Sequence, residues 1–140
     1  YICTTDLYDV HEYDQNPETF AARYDALRTS GTFEDPHYAD RQRYDGKKPV
    51  FLSEYGGTGL SLKGGSWSYG SAAKDCEDFC KRYEGLTNAL MKNPEICGMC
   101  YTQLYDVEQE QNGLYTYERQ PKIDIARIRE INTKKAAIEE

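Results

Sequence analysis

Pro49-Val50-Phe51-Leu52-Ser53-Glu54-Tyr55-Gly56-Gly57 reads as a compact apolar strand that reaches a carboxylate and ends abruptly at two glycines. Around it, a strand-then-helix pattern occurs three times. The first strand covers 6–11, Asp-Leu-Tyr-Asp-Val-His. Its helix starts at Asn16-Pro17-Glu18, with Asn16 as N-cap and Pro17 at the first helical position. Phe20, Tyr24 and Leu27 follow at helical spacing, and Ser30-Gly31 ends the run. Residues 32–48 are a charged, irregular connection to the second strand. After that strand, 58–70 is a long loop rich in Gly and Ser that carries the single tryptophan, Trp67. The second helix spans about 72–92, with Phe79, Tyr83, Leu86 and Leu90 on one face and Cys76 and Cys80 alongside. Asn93-Pro94 closes it. The third strand, 96–104, opens into 105–119, a loop crowded with acids, amides and tyrosines. The last helix begins near Pro121, buries Ile125, Ile128 and Ile131, and frays over 134–140.

Strands that alternate with helices imply an α/β fold with a parallel sheet and helices packed over it. Polar and aromatic residues gather just after each strand, where α/β folds build their sites. Three strands leave both edges of such a sheet open. A complete (β/α)8 barrel needs about 250 residues. The 140 residues here are therefore read as one incomplete domain, the last portion of a barrel.

Composition narrows the function. Seventeen Lys and Arg against 24 Asp and Glu leave a net charge of −7, which argues against nucleic-acid or anionic-membrane partners. No apolar run approaches the roughly 18–20 residues of a membrane span, and nothing near Tyr1 reads as a signal peptide. Thirteen tyrosines argue against disorder. Cys3, Cys76, Cys80, Cys97 and Cys100 are an odd set without the spacing of a disulfide scaffold, and suit a reducing, cytoplasmic compartment. Cys97-Gly-Met-Cys100 has the C-x-x-C spacing of metal and redox sites, but residues three apart on a strand point to opposite faces. No metal and no cofactor is expected. Nucleotide-loop, zinc-protease and serine-hydrolase motifs do not occur in the sequence.

Glu54 is the sharpest catalytic candidate: a carboxylate on a rigid strand end, before glycines that permit close approach of a ligand. His11-Glu12-Tyr13 follows the first strand at the same topological position. A tyrosine there could donate a hydrogen bond to a carboxylate and hold it ionised. Tyr101, Gln103, Asp106, Glu108 and Gln109 end or follow the third strand, and aromatics beside amides and acids are what a sugar site uses.

The Pro49–Gly57 string resembles the nucleophile strand, the seventh, of glycoside hydrolase family 2 barrels. The run Ile96-Cys-Gly-Met-Cys-Tyr-Thr-Gln-Leu-Tyr-Asp-Val-Glu-Gln-Glu-Gln-Asn-Gly-Leu-Tyr-Thr-Tyr117 resembles the eighth strand and following loop of their bacterial, β-galactosidase-like members. Asp9-Val-His-Glu-Tyr-Asp14 is similar to the end of the sixth strand, and Arg82-Tyr-Glu-Gly-Leu-Thr87 to the helix between strands seven and eight. The resemblance implies strands six to eight of a retaining β-glycosidase, β-galactosidase-like, with Glu54 as nucleophile and Tyr13 as its hydrogen-bond donor. His11, Tyr101, Gln103, Asp106 and Trp67 would then bind a carbohydrate substrate, Tyr101 as an aromatic platform. The family's acid/base glutamate lies in an Asn-Glu pair on strand four, and no Asn-Glu pair occurs here. Its preceding β-sandwich domains have no counterpart either. The piece alone should then be catalytically silent. It should also self-associate through open sheet edges and barrel-facing Val50 or Leu52. A non-catalytic carbohydrate-binding module and a thiol-based metal or redox protein are the competing readings.

Overall fold

Local chemistry sets the helix ends. The Asn16 side chain accepts from the Glu18 and Thr19 amides, Pro17 occupies the first helical position, and α1 runs Pro17–Ser30 until Gly31, at φ +66°, returns its N–H to the Leu27 carbonyl. A computed structural model describes residues 5–35, 43–61 and 67–140, so Cys3 lies outside the described residues. Helix α2 is Cys76–Met91, shorter than expected because Asp75, not a residue near 72, is its cap, accepting from the Asp78 amide. Helix α3 is Ile125–Asn132, capped by Asp124. Its start lies beyond Pro121 because Pro121 bridges to Tyr115 and the Lys122 amide donates to Leu114, so this stretch is tied into the preceding loop.

Three strands, β1 (Tyr8–Glu12), β2 (Val50–Gly56) and β3 (Ile96–Thr102), form a parallel sheet in chain order. The fold is therefore α/β with a small parallel sheet and three helices. Tyr8, Val10, Val50, Leu52, Tyr55 and Ile96 pack with Phe20, Tyr24 and Leu27 of α1 and Leu86 and Leu90 of α2 in one core. A second cluster joins Phe79, Cys80 and Tyr83 of α2 to Ile128 and Ile131 of α3, with Leu60, Leu114 and Ile123 from the loops. Ile125 is only partly buried against it.

Val50 and Leu52, expected to face a barrel interior, are instead fully buried beneath the helices. Alternation leaves Phe51 and Ser53 on the opposite face, where the Phe51 ring lies over Gly98 so closely that a Cβ there would come within 2.7 Å of it. The register also slips at Cys97, since Val50 pairs with Ile96 but Phe51 pairs with Gly98. An argument that counts residues along an unbroken strand therefore fails there, and Cys97 and Cys100 are both exposed. Among the described residues no group of three or more His, Cys, Asp or Glu could hold a metal ion, and no helix is long and apolar enough to cross a membrane.

Much of the core is tyrosine. Burial, with Asp35 adding to it, pushes the Tyr8 phenol up to about 12, and burial raises Tyr24, Tyr55 and Tyr101 as well. These groups are raised above their unfolded value near 10, so the stability they contribute is complete below pH about 10 and is lost as pH climbs toward the folded value. Tyrosine ionisation followed by ultraviolet absorbance should therefore lag for the buried set and coincide with loss of near-ultraviolet circular dichroism. Leu52→Ala should cost about 2–5 kcal/mol in urea unfolding. Phe51→Ala, on the half-open face, should cost clearly less.

Candidate active site

One extra residue in β2 aims Glu54. On the β1 side Asp9 pairs with Phe51 and His11 with Glu54; on the β3 side Leu52 pairs with Met99 and Tyr55 with Tyr101. In both ladders β2 advances three residues while its neighbour advances two, which marks a bulge at 52–54. Strict alternation from buried Leu52 would turn Glu54 under the helices. The bulge turns Tyr55 inward instead, where its hydroxyl pairs with that of Thr87 at 2.7 Å. Glu54 is left half-exposed on the other side.

The β1 exit delivers Glu54's neighbours. The Tyr13 hydroxyl donates to Glu54 Oε2, and His11 Nδ1 stands 3.8 Å from the same oxygen. Gln15, which the sequence reading passed over, ties this geometry together. Its Nε2 donates to the carbonyls of Tyr13 (2.9 Å) and Gly56 (2.5 Å), and its Oε1 accepts from the Thr58 hydroxyl at 2.6 Å. Glu12, between His11 and Tyr13, points the other way and is 1% exposed. Arg23 of α1 pairs with it, and the Asp14 amide donates to it at 3.0 Å. A buried carboxylate without such partners would be costly.

Aromatic rings extend the site away from Glu54. Tyr69 stacks on Tyr13 with centroids 4.7 Å apart and planes 12° apart, and Trp67 meets Tyr69 edge-on at 4.7 Å. Trp67 and Tyr69 are each about half exposed, at 50% and 49%. Gly57, at φ +61°, lies directly beneath: a Cβ there would fall 2.8 Å from the Tyr69 Cβ and 3.2 Å from the Tyr13 ring. Trp67 was legible as the single tryptophan, in a Gly/Ser loop, whereas Tyr69 in the same loop carried no periodicity to mark it.

The residues after β3 divide differently from expectation. The Tyr101 ring does not lie open as a platform. It packs on Gly56, where a Cβ would come within 2.3 Å, and sits edge-on to Tyr55 and Tyr83 at 5.5 and 4.9 Å. Its hydroxyl donates to the Asn112 carbonyl at 3.4 Å. Asp106 is not open to a ligand either: it is buried, accepts from Lys122 Nζ at 2.8 Å and from the Gly113 amide at 2.9 Å, and so anchors the loop. Gln103 follows a cis peptide bond after Thr102, and its half-buried side chain has an unpartnered Nε2. Asn112, fully buried and not anticipated, leaves both amide atoms unpartnered, with Nδ2 3.6 Å from the position of a Gly57 Cβ. Glu108 and Gln109 are exposed.

No protein-family model and no curated protein matches the sequence. Solved structures do resemble the fold. A Faecalibacterium prausnitzii β-glucuronidase aligns with a TM-score of 0.58 at 19% identity, over 95% of this chain and 23% of that one. A Bacteroides uniformis β-glucuronidase gives 0.58 at 20% identity, over 84% of this chain and 14% of that one. A Bifidobacterium dentium β-glucuronidase, complexed with coumarin-3-O-glucuronide, gives 0.56 at 20% identity, over 90% and 20%. At these identities the likeness is one of fold, and the chain spans less than a quarter of each of these structures.

The Asp106–Lys122 pair has a measurable consequence. Lys122→Met strands a buried carboxylate and should cost about 3–5 kcal/mol in denaturant unfolding. Adding Asp106→Asn should recover part of that loss, because the charge left unpaired is then gone.

Proposed function

We propose that this chain is the C-terminal part of a (β/α)8 barrel, strands six to eight, in a retaining β-glycosidase of the glycoside hydrolase family 2 type, with Glu54 as nucleophile. The observation that carries the reading is the hydrogen bond from the Tyr13 hydroxyl to Glu54 Oε2 at the C-terminal end of a parallel sheet. That bond orients one carboxylate oxygen, and the bulge presents the group to the open side. Glu54 would attack the anomeric carbon as the glycosidic bond breaks, forming a glycosyl ester. Water would then hydrolyse it. The leaving oxygen needs a proton from a second carboxyl group about 5–5.5 Å away. Glu12 and Asp14, which flank Tyr13, are both engaged with Arg23, and so do not fit that role. In this reading the acid comes from another part of the barrel, and the chain alone turns over nothing.

The solved neighbours are named for glucuronides, whose carboxylate favours a cation in the site. Here Arg23, Arg82 and Lys122 are each paired with carboxylates of this chain. The resemblance of the 96–117 run to β-galactosidase-like members puts a β-galactoside first, with β-glucuronide and β-mannoside behind. The partner is thus a carbohydrate. Among the described residues, strands β1 and β3 each pair only with β2 and offer open edges. Together with Phe51 on the half-open face, those edges favour self-association of the isolated chain. The covering role expected of Val50 and Leu52 is taken by the helices.

In a complete enzyme carrying this chain, Glu54→Gln should lower kcat by orders of magnitude with the fold intact by circular dichroism. Tyr13→Phe should lower it about 10–10²-fold, the worth of one hydrogen bond to a charged group. A Glu54→Gln enzyme that kept most of its kcat would place the nucleophile elsewhere. Light scattering of the isolated chain tests the association, which a monodisperse monomer would contradict.

A further inference from the structure

We infer that the free edge of β3 is a self-pairing interface, on which a second copy of this chain lays its own β3 antiparallel about a two-fold axis at Cys100. The inference deepens the self-association proposed above, because it names the edge, the strand direction and the register. It does not depend on the role given to Glu54.

Charge selects the edge. Two chains of net charge −7 repel one another, so they approach best where neither carries a carboxylate. Residues 96–105, Ile-Cys-Gly-Met-Cys-Tyr-Thr-Gln-Leu-Tyr, hold no charge and no proline. The other edge strand, β1, has Asp9, His11 and Glu12 within its five residues, and Asp9 is exposed. Charged side chains and prolines are what keep an edge strand from pairing, and β3 has neither.

Backbone groups select the register. Gly57, just beyond β2, donates its N–H to the Thr102 carbonyl at 2.9 Å. Along a strand both backbone groups of one residue point to one side, and those of its neighbours point to the other. Gly98, Cys100 and Thr102 therefore turn theirs toward β2, whereas Met99 and Tyr101 turn theirs to the free edge. An antiparallel pair can set Met99 against the partner's Tyr101 and Tyr101 against the partner's Met99. Each of these opposed pairs then exchanges both N–H···O bonds. Cys100 falls opposite the partner's Cys100, on the axis.

The side chains agree with that register. Met99 and Tyr101 both pack toward the helix-side core and are partly buried there. Across the axis each thioether meets a phenol ring, a favourable contact. A groove of about 340 Å³, lined by Tyr83, Met99, Tyr101, Leu104, Leu114 and Asn132, gives them room on that side. Cys100, between them, faces the open side and is exposed. Its Sγ stands 3.9 Å from the Tyr101 carbonyl oxygen, one of the groups at the free edge, so the thiol leans toward the axis. Opposed residues that exchange no hydrogen bond have Cα atoms about 4.5 Å apart, within the roughly 4.4–6.8 Å that a disulfide spans.

Light scattering of the reduced chain should give twice the 16.1 kDa of one copy. Cys100→Lys, checked for folding by circular dichroism, sets two like charges against each other at the axis and should give a monomer. Cys100→Ser should stay dimeric. With glutathione disulfide as oxidant, the Cys100 thiolate displaces one glutathione, and the partner's Cys100 displaces the second from the mixed disulfide. Two glutathione thiols are thus released for each cross-link formed. Cys97→Ser should still cross-link to a dimer on a non-reducing gel, and Cys100→Ser should not, because antiparallel pairing at Cys100 carries the two Cys97 residues apart. A dimer that survives Cys100→Lys, or a cross-link that survives Cys100→Ser, overturns this edge and leaves self-association standing. A monomeric wild-type chain overturns both, and the reading of Glu54 is untouched by either result.

Discussion

The site depends on a single inserted residue. Burial of Val50, Leu52 and Tyr55 beneath α1 and α2 fixes the face that β2 turns to the helices. Because those three residues are not evenly spaced, β2 must bulge to bury them all, and the bulge leaves Ser53 and Glu54 together on the open side. The apolar demand of the core thus aims a carboxylate outward. A strand that kept regular alternation would bury Glu54 without a partner and expose Tyr55. Neither outcome is tolerable, since an unpaired buried charge and a bare aromatic both carry a free-energy cost.

Two other carboxylates buried among the described residues are held by cations. Glu12 meets Arg23 behind the site, and Asp106 meets Lys122 within the loop after β3. Such pairs add little net stability over apolar residues, but each fixes the path of a segment, because breaking either pair strands a charge. The first holds the β1 exit, and with it Tyr13, against α1. The second holds the loop that carries Gln103 and Asn112. Gln15 completes the arrangement with three neutral hydrogen bonds that join the β1 exit to the turn after β2. The side chains nearest Glu54 are therefore positioned by helices and loops that do not themselves reach the carboxylate.

Two amides, one buried and one half-buried, break this pattern. Asn112 and Gln103 retain unpartnered polar atoms. Gly57 brings Asn112 within reach of the ground beneath Tyr13 and Tyr69. Buried amides normally find partners, and these two lie on the loop after β3, which bonds to the Trp67 backbone.

The alternation of strand and helix, the caps at Asn16 and Gly31 and the strand ending in Glu54 were decided by local sequence, because each rests on interactions within a few residues. The nearness of Tyr13 to Glu54, forty-one positions apart, was expected from the family resemblance, and it needs the two parallel strands side by side. Tertiary packing decided the rest. It turned Val50 and Leu52 to the helices, because two helices on one face offer more apolar contact than an open sheet. It packed Tyr101 partly buried against the core, because Gly56 leaves room for a ring, and took Asp106 into the interior, because Lys122, sixteen residues away, reaches it. It set Tyr69 on Tyr13 across fifty-six positions of chain, a pairing that no local period encodes. Contacts between residues distant in sequence leave no local signal, and the aromatic side of this site is built almost wholly from them.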